Sequence, residues 1–311
     1  MTWKKSKSLM KKTYICDASA GLTTVRDPVV MVVGDTYYLT GTQPPYWSGA
    51  NAGVHLWSSK DLQHFTDHGL IIKRDDMPEN MWCRDRFWAP ELFTDGEKFY
   101  ATFNCKNESK TYPHDFGVGL AVADRPEGPY TIVSVDGPVC SGIDGNIFKD
   151  DDGQLYLCAN GILPENGKTA LFIRKLDGMT GAATEPQQVC TIGNEGDWDH
   201  EGVEGQCLLK RHGIYFQWYS SWGEWQDGGF YRAGYMTAPS IHGPWAKHPT
   251  PVIKSDVEYT SCGHNHSFRG LDGKDYVVFH ALCRYDSPDE QVERLYIREV
   301  EYRPDGTILL K

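Results

Sequence analysis

Residues 26–40 read RDPVVMVVGDTYYLT: a charged pair and a proline, an apolar run, a Gly-Asp turn and an aromatic-rich strand. A Gly-Asp pair between two runs rich in Val and Tyr is typical of a tight β-hairpin. The stretch therefore predicts two antiparallel strands, with the polar residue Asp27 at the start of the first one.

The same pattern recurs four more times along the chain. The copies start near residues 27, 89, 144, 204 and 264, a period of about 60 residues. Further strand-like runs between the hairpins, such as 53–57 and 118–122, bring each copy to four strands. Four strands repeated five times predict an all-β fold, a five-bladed β-propeller. We expect one domain over residues 1–311, because no linker-like or low-complexity segment divides the sequence.

The composition is typical of a soluble chain of short strands and argues against some partners. Aromatic residues make up 13% of the 311 residues, with 10 Trp and 17 Tyr, and there are 32 Gly. Aromatic residues favour strands and Gly favours tight turns, and flat rings also stack on sugars. The net charge of −11 argues against nucleic acid or a membrane as a partner, since both attract basic surfaces.

The cysteines and the N-terminal residues bear on localisation. Nine Cys stand singly, without a C-x-x-C pair or other metal spacing, which favours free thiols in a reducing compartment. The basic residues between positions 4 and 12 are not followed by an apolar segment of signal-peptide length. We therefore expect a solvated tail and a cytoplasmic location.

The residues that lead the repeats are the candidates for a functional site. The innermost strand of each propeller blade lines the central channel, so its first residues should meet at one mouth. These residues are Asp27, Trp88, Asp144, Glu204 and His264. Three are carboxylates, which are costly to bring together because like charges disfavour ionisation. Hydrolysis of a glycosidic bond requires such a cluster, one acid for the leaving oxygen and one base for water.

The leading segments resemble the motifs of glycoside hydrolase family 43, in order and at blade spacing over residues 25–306. The resemblance rests on Asp27, Trp88-Ala89-Pro90-Glu91, Asp144-Gly145, Glu204-Gly205 and Gly263-His264-Asn265. It implies inverting hydrolysis of terminal sugars, such as α-L-arabinofuranose or β-D-xylose, from plant-type oligosaccharides. The insertions at 43–52, 73–87 and 222–230 are expected to wall a pocket, which favours exo action.

The resemblance also implies roles for the three carboxylates. Asp27 is the expected general base, Glu204 the general acid, and Asp144 the carboxylate that raises the pKa of the acid. The sequence departs from the family pattern at Gln206, where the family has Pro. A second Glu-Gly pair precedes the motif, so Glu201 stays open as the acid or as a substrate-binding residue.

Further candidates carry less of the argument. Arg294 matches a family Arg that reaches the active centre, and Phe87, Trp88 and Trp222 are candidates to stack on sugar. His264 is expected to face water or an ion such as calcium on the propeller axis, although calcium prefers oxygen ligands. No cofactor is expected to be required; an oligosaccharide is the expected partner, and the oligomeric state stays open.

Two alternative functions remain at this stage. Retaining fructan-type propellers also begin with an Asp in the first blade, where it is a nucleophile, and other propeller glycosidases, such as galactosidases, share the architecture. A non-catalytic carbohydrate-binding propeller would keep the aromatic residues but would not need three carboxylates. The stereochemistry of the product distinguishes an inverting enzyme from the retaining alternative. The variant Glu204→Gln distinguishes an enzyme from a binding protein, because in an enzyme it should abolish turnover but not binding.

Overall fold

The computed structural model describes residues 14–106, 116–286 and 292–311, and the basic residues between positions 4 and 12 lie outside these ranges. The strands of the first three blades are β1 Arg26–Val33, β2 Thr36–Thr42, β3 Gly53–Ser59, β4 Phe65–Lys73, β5 Arg86–Thr94, β6 Phe99–Lys106, β7 Phe116–Ala123, β8 Thr131–Ile132, β9 Ile143–Lys149, β10 Leu155–Ile162, β11 Thr169–Asp177, β12 Ala182–Ala183 and β13 Gln187–Thr191. The strands of the last two are β14 Glu204–Arg211, β15 Ile214–Trp222, β16 Tyr231–Ala238, β17 Ala246–Lys247, β18 Tyr259–Arg269, β19 Asp275–Cys283, β20 Glu293–Tyr302 and β21 Ile308–Leu310. Two short 3-10 helices cover Ala18–Ala20 and Arg74–Asp76.

The strands form five antiparallel sheets in chain order. Four sheets have four strands each, and the third has a fifth because β12 and β13 both pair with β11. Each sheet is one blade, so the predicted all-β, five-bladed propeller is confirmed. Strand β1 contacts β18, and the N–H of Ile15 donates to the carbonyl of Leu295 in β20, so the first described residues attach to the last blade.

Aromatic side chains fill the spaces between blades. Trp57, Trp218, Tyr219, Phe103 and Phe279 are each at most 1% exposed. Much of the aromatic content is therefore structural. All nine cysteines lie in the described ranges and are free thiols, eight of them buried, as predicted. No helix among the described residues is long and apolar enough to cross a membrane.

Every innermost strand has a β-bulge near its start. The pairing register shifts after Arg26, Trp88, Ile143, Glu204 and Gly263. The next residue has a positive φ in each blade: Asp27 51°, Ala89 37°, Asp144 61°, Gly205 59° and His264 45°. A bulge bends the strand and redirects one side chain, and a positive φ in a residue other than Gly is strained and often marks a functional site.

Side chains of the second strand in each blade secure the start of the next blade. Thr42 Oγ1 accepts from the N–H of Ala89, Ser220 Oγ from that of His264, and His280 Nδ1 from that of Asp27. Asn104 Nδ2 donates to Asp144 Oδ1, and Asn160 Nδ2 donates to the carbonyl of Val203. The series closes from the fifth blade to the first, so the five bulges are held in one ring.

Candidate active site

Three bulge residues, from the first, third and fifth blades, meet near the propeller axis. Asp27, Asp144 and His264 are 8%, 3% and 5% exposed. His264 Nδ1 lies 3.3 Å from Asp27 Oδ1 and 4.0 Å from Asp144 Oδ2. The structure therefore brings together three of the residues that the repeat predicts to converge.

The other two blades are offset by one residue from the predicted alignment. Their bulge residues are Ala89 and Gly205, so Trp88 and Glu204 precede the bulge. The prediction that Trp88 and Glu204 are equivalent to Asp27 is therefore wrong. Because successive side chains of a strand leave it on opposite sides, Glu204 does not join the axial group but contacts Tyr231, on the first residue of β16.

Asp27 is a buried carboxylate with several polar neighbours. Thr42 Oγ1 donates to Asp27 Oδ2 at 2.5 Å. Burial alone would raise the pKa of Asp27, but the adjacent His264, Arg26 and His280 and the Thr42 hydrogen bond lower it to about 2. Burial disfavours the charged form of His264 and so lowers the pKa of this histidine. Arg26 is therefore the neighbour that stays positive at neutral pH. Asp27 is thus kept ionised, as a general base must be.

Glu204 has the opposite shift. Burial raises its pKa to about 7, and the charge of Asp27 adds to the increase, while the hydrogen bond from Tyr231 to Glu204 Oε1 (2.8 Å) opposes it. Burial and the charges of Glu204 and Asp27 also raise the pKa of Asp144. Asp144 is held by the N–H of Gly205, which donates to Oδ2 at 2.9 Å. The pair of Glu204 and Asp144 therefore retains a proton near neutral pH.

Glu201 does not share this environment. Its side chain is 53% exposed, and its Oε1 lies 3.2 Å from His200 Nε2. It does not line either of the two cavities that Glu204 lines. A general acid at neutral pH needs a raised pKa, so the geometry favours Glu204 over Glu201.

Two cavities meet at Glu204 and Trp222, which line both of them. The first, the Arg26 cavity, has a volume of about 440 Å³, and its lining includes Arg26, Trp47, Tyr231, His280 and Glu293. The second, the Arg174 cavity, has a volume of about 510 Å³, and its lining includes Phe116, Ile143, Phe172 and Arg174. Arg26 and His280 are neighbours of Asp27, so the Arg26 cavity adjoins both the base and the acid.

The aromatic candidates differ in their placement. Trp222 lies at the junction of the cavities, and its ring packs so closely on Gly202 that a Cβ there would lie 2.0 Å from it. Trp88 is partly exposed between Trp47 and Phe116, with ring centroids 6.1 and 5.9 Å away. Phe87 was predicted to stack on sugar, and this is wrong: it is 1% exposed and packs against Phe103 in the core.

Arg294 is also placed away from the cavities, contrary to the prediction. Its Nε donates to Asp286 at 2.9 Å, and its guanidinium lies over the ring of Tyr14. The preceding residue, Glu293, lines the Arg26 cavity and accepts from Arg26 Nη1 at 2.5 Å. Neighbouring side chains in a strand face opposite sides. Glu293 therefore faces the cavity, and Arg294 faces away from it.

Three site residues were not among the sequence candidates. Tyr231 contacts the acid, His280 contacts the base, and Glu293 pairs with Arg26. Each lies at the first residue of a third strand or near the end of a second strand, whereas the residues that lead the repeats lie in first strands. The residue paired with the start of the bulge, on the second strand, could have indicated such site residues. Thr42, Ser220 and His280 occupy this position in three blades.

Several polar atoms near the axis have no partner among the described residues. They are His264 Nε2, His266 Nδ1, Gln206 Oε1, Asn104 Oδ1 and both side-chain polar atoms of Asn265. Buried polar atoms of this kind normally bind water or an ion. Among the described residues no group of three or more His, Cys, Asp or Glu is arranged to hold a metal, so any ion here would be bound through amide oxygens, water and one His.

The fold and the site together define a propeller glycoside hydrolase, with an ionised carboxylate and a protonated carboxyl beside a common cavity. The family described as Glycosyl hydrolases family 43 matches residues 22–308. The chain therefore belongs to this family, and the resemblance found in the sequence is confirmed.

The chain is similar to characterised relatives over most of its length. Beta-D-galactofuranosidase xynD of Aspergillus niger is 30% identical, with 88% of this chain and 79% of that protein covered. Xylosidase/arabinosidase 43A of Humicola insolens is 25% identical, with 83% and 85% covered. The crystal structure of a thermostable family-43 glycoside hydrolase superposes with a TM-score of 0.78 at 24% identity, over 96% of both chains.

Proposed function

We propose that this enzyme is an inverting, exo-acting glycosidase that releases terminal α-L-arabinofuranose or β-D-xylose from oligosaccharides. The observation that carries the proposal is the opposite shift of two carboxyl groups, one buried and one partly buried: the pKa of Asp27 is lowered to about 2 and that of Glu204 is raised to about 7. One group is then a base and the other an acid at the same pH, which single-step displacement by water requires.

In the proposed reaction each residue has a defined part. Asp27 accepts a proton from water as the water oxygen attacks the anomeric carbon. Glu204 donates its proton to the glycosidic oxygen as that bond breaks, so protons and electrons balance in one step. We assign Asp144 to a coupled pair with Glu204, in which burial and the charge of Glu204 raise the pKa of Asp144, so that the pair holds a proton near neutral pH. Asp144 also orients the start of β14 by accepting from the N–H of Gly205.

The placement of the terminal sugar follows from the two cavities. The Arg26 cavity lies beside Glu204 and the neighbours of Asp27, whereas the Arg174 cavity shares only Glu204 and Trp222 with it. The sugar that is attacked must lie within reach of both base and acid, so we assign it to the Arg26 cavity. Arg26 and Glu293 can bind its hydroxyl groups. A single sugar between protein walls supports exo action.

The identity of the sugar is proposed from the relatives. The Humicola insolens relative is named a xylosidase/arabinosidase, and the Aspergillus niger relative a β-D-galactofuranosidase. Arabinofuranose and galactofuranose share a five-membered ring, and the second is the alternative that an assay must separate.

We also propose that the unpartnered polar atoms around His264 hold ordered water, which can carry a calcium ion. If His264 Nδ1 donates to Asp27, the lone pair of Nε2 faces the axis, and amide oxygens such as Gln206 Oε1 suit a hard cation. Such a cation would add positive charge near Asp27. Metal analysis of the purified enzyme, before and after chelation, tests this assignment.

The function is tested with p-nitrophenyl α-L-arabinofuranoside, β-D-xyloside, β-D-galactofuranoside and β-D-fructofuranoside, using wild type, Asp27→Ala and Glu204→Ala. We expect turnover of the arabinofuranoside or xyloside and a loss of about 10³-fold or more in Asp27→Ala. Glu204→Ala should lose less on these substrates, because nitrophenolate leaves without a proton, and more on an oligosaccharide. Glu201→Ala is the matched control and should retain activity.

The pH profile and the product test the mechanism. Since Glu204 acts protonated, kcat/KM should fall as pH rises through about 7, while Asp27 stays ionised at every pH well above 2. NMR of the first product should show an inverted anomeric centre. A retained centre would overturn the inverting mechanism, and internal oligosaccharides released from a polymer would overturn exo action.

A further inference from the structure

Arg174 in strand β11 differs in its partners from several other arginines of the protein. Arg26, Arg211 and Arg294 each pair with a carboxylate. The guanidinium of Arg174 makes no hydrogen bond or ion pair with any described residue, and its Nε is buried without a partner. In a chain with a net charge of −11, such an uncompensated cation at the wall of a cavity is available for a ligand.

The described lining of the cavity offers one group that could neutralise Arg174. Among its described lining residues, the one other ionisable side chain that can carry a charge near neutral pH is Glu204. The catalytic form of Glu204 is protonated, with a pKa of about 7. A partly buried charge without a partner is unfavourable, so a bound anion would lower the energy of this wall.

The position of the cavity identifies what it binds. This step rests on the proposed function. An acid that protonates the glycosidic oxygen lies between the sugar that is attacked and the group that leaves. The Arg26 cavity adjoins the base, so the Arg174 cavity, on the other side of Glu204, receives the leaving group. Phe116, Phe172 and Trp222 supply flat apolar surface for a sugar ring there.

We propose that Arg174 binds the carboxylate of an acidic leaving group, so that the preferred substrate carries its terminal sugar on a uronic acid. A guanidinium matches a carboxylate through two parallel hydrogen bonds, which a neutral hydroxymethyl group cannot form. The enzyme then selects for the unit next to the scissile bond, as well as for the terminal sugar.

The test uses two disaccharides with the same terminal sugar, one linked to methyl glucuronoside and the other to methyl glucoside. Wild type should hydrolyse the acidic disaccharide with a kcat/KM about 10-fold or more higher, mainly through KM. Arg174→Gln should lose this preference, Arg174→Lys should keep part of it, and salt should reduce it in wild type. Lys175→Gln, which removes the exposed cation next along β11, is the matched control and should keep the preference.

Equal rates on the two disaccharides in wild type, or an undiminished preference in a folded Arg174→Gln, would overturn this inference. The outcome is separable from that of the proposed function. If Asp27→Ala still abolishes turnover of the aryl glycoside while wild type shows no preference for the acid, only the role of Arg174 fails. If Asp27→Ala retains turnover, the proposed function itself fails.

Discussion

The first, third and fifth blades use the bulge differently from the second and fourth. In the first group the positive-φ position carries a large functional side chain: Asp27, Asp144 or His264. In the second group it carries Ala89 or Gly205, and the functional side chain comes from the preceding residue. A bulge with a positive φ is common to all five blades, so the difference at this position lies in the side chain.

This difference shows how one repeated backbone supplies two kinds of position. Five large side chains cannot all occupy the axis, and a Cβ on Gly205 would already lie 3.1 Å from the Cα of His264. Small residues in two blades leave space for the axial group. They also place Glu204 before the bulge, where it contacts Tyr231 and not the axial group.

The largest effect is expected when the axial carboxylate of the third blade is neutralised. In Asp144→Asn the amide can accept from only one of its two donors, Asn104 Nδ2 and the N–H of Gly205, and Glu204 loses the carboxyl group to which it is coupled. We expect kcat/KM to fall about 10²–10³-fold and the alkaline limb of the pH profile to move to lower pH. Asp152→Asn, in the exposed turn of the same blade, should change neither; an unshifted limb in Asp144→Asn would show that Asp144 does not tune the acid.

An intermediate effect is expected when the small residue of the fourth blade is enlarged. Gly205→Ala adds a Cβ 3.2 Å from the ring of His264, at a φ of 59°. We expect unfolding to become easier by about 1–2 kcal/mol and activity to fall, because His264 must move relative to Asp27. Gly213→Ala has a similar φ of 76° but open space around it. It should lose stability without losing activity, and equal activity loss in both variants would contradict the role of the contact.

The smallest effect on activity is expected when the hydrogen bond from Tyr231 to Glu204 is removed. Tyr231 donates to Glu204 Oε1, which favours the carboxylate form. Tyr231→Phe should therefore raise the pKa of Glu204, and the alkaline limb of kcat/KM should move up by about one pH unit. Tyr219→Phe, which removes a buried hydroxyl that donates to Asp199 instead, is the control. A limb that moves down or stays would show that the Tyr231 hydrogen bond does not set this pKa.

Much of the fold could be predicted from the sequence, because its causes are local. The turns, the alternation of apolar residues and the period of the repeat are properties of neighbouring residues, and they predict five hairpin-led blades without reference to contacts. The same repeat identified Asp27, Asp144, Glu204 and His264, because each stands at the same place before the turn of its hairpin in the sequence.

What only the tertiary structure decided is which side of a strand each candidate faces and what it meets there. Neighbouring side chains of a strand face opposite sides, so Glu293 rather than Arg294 lines the Arg26 cavity and Phe87 lies in the core. The bulge of β14 sets Glu204 apart from the axial group. Partners such as Tyr231 and His280 come from other strands or the neighbouring blade. Contacts between residues distant in the chain, and the burial that shifts their pKa values, exist only once the ring of blades has closed.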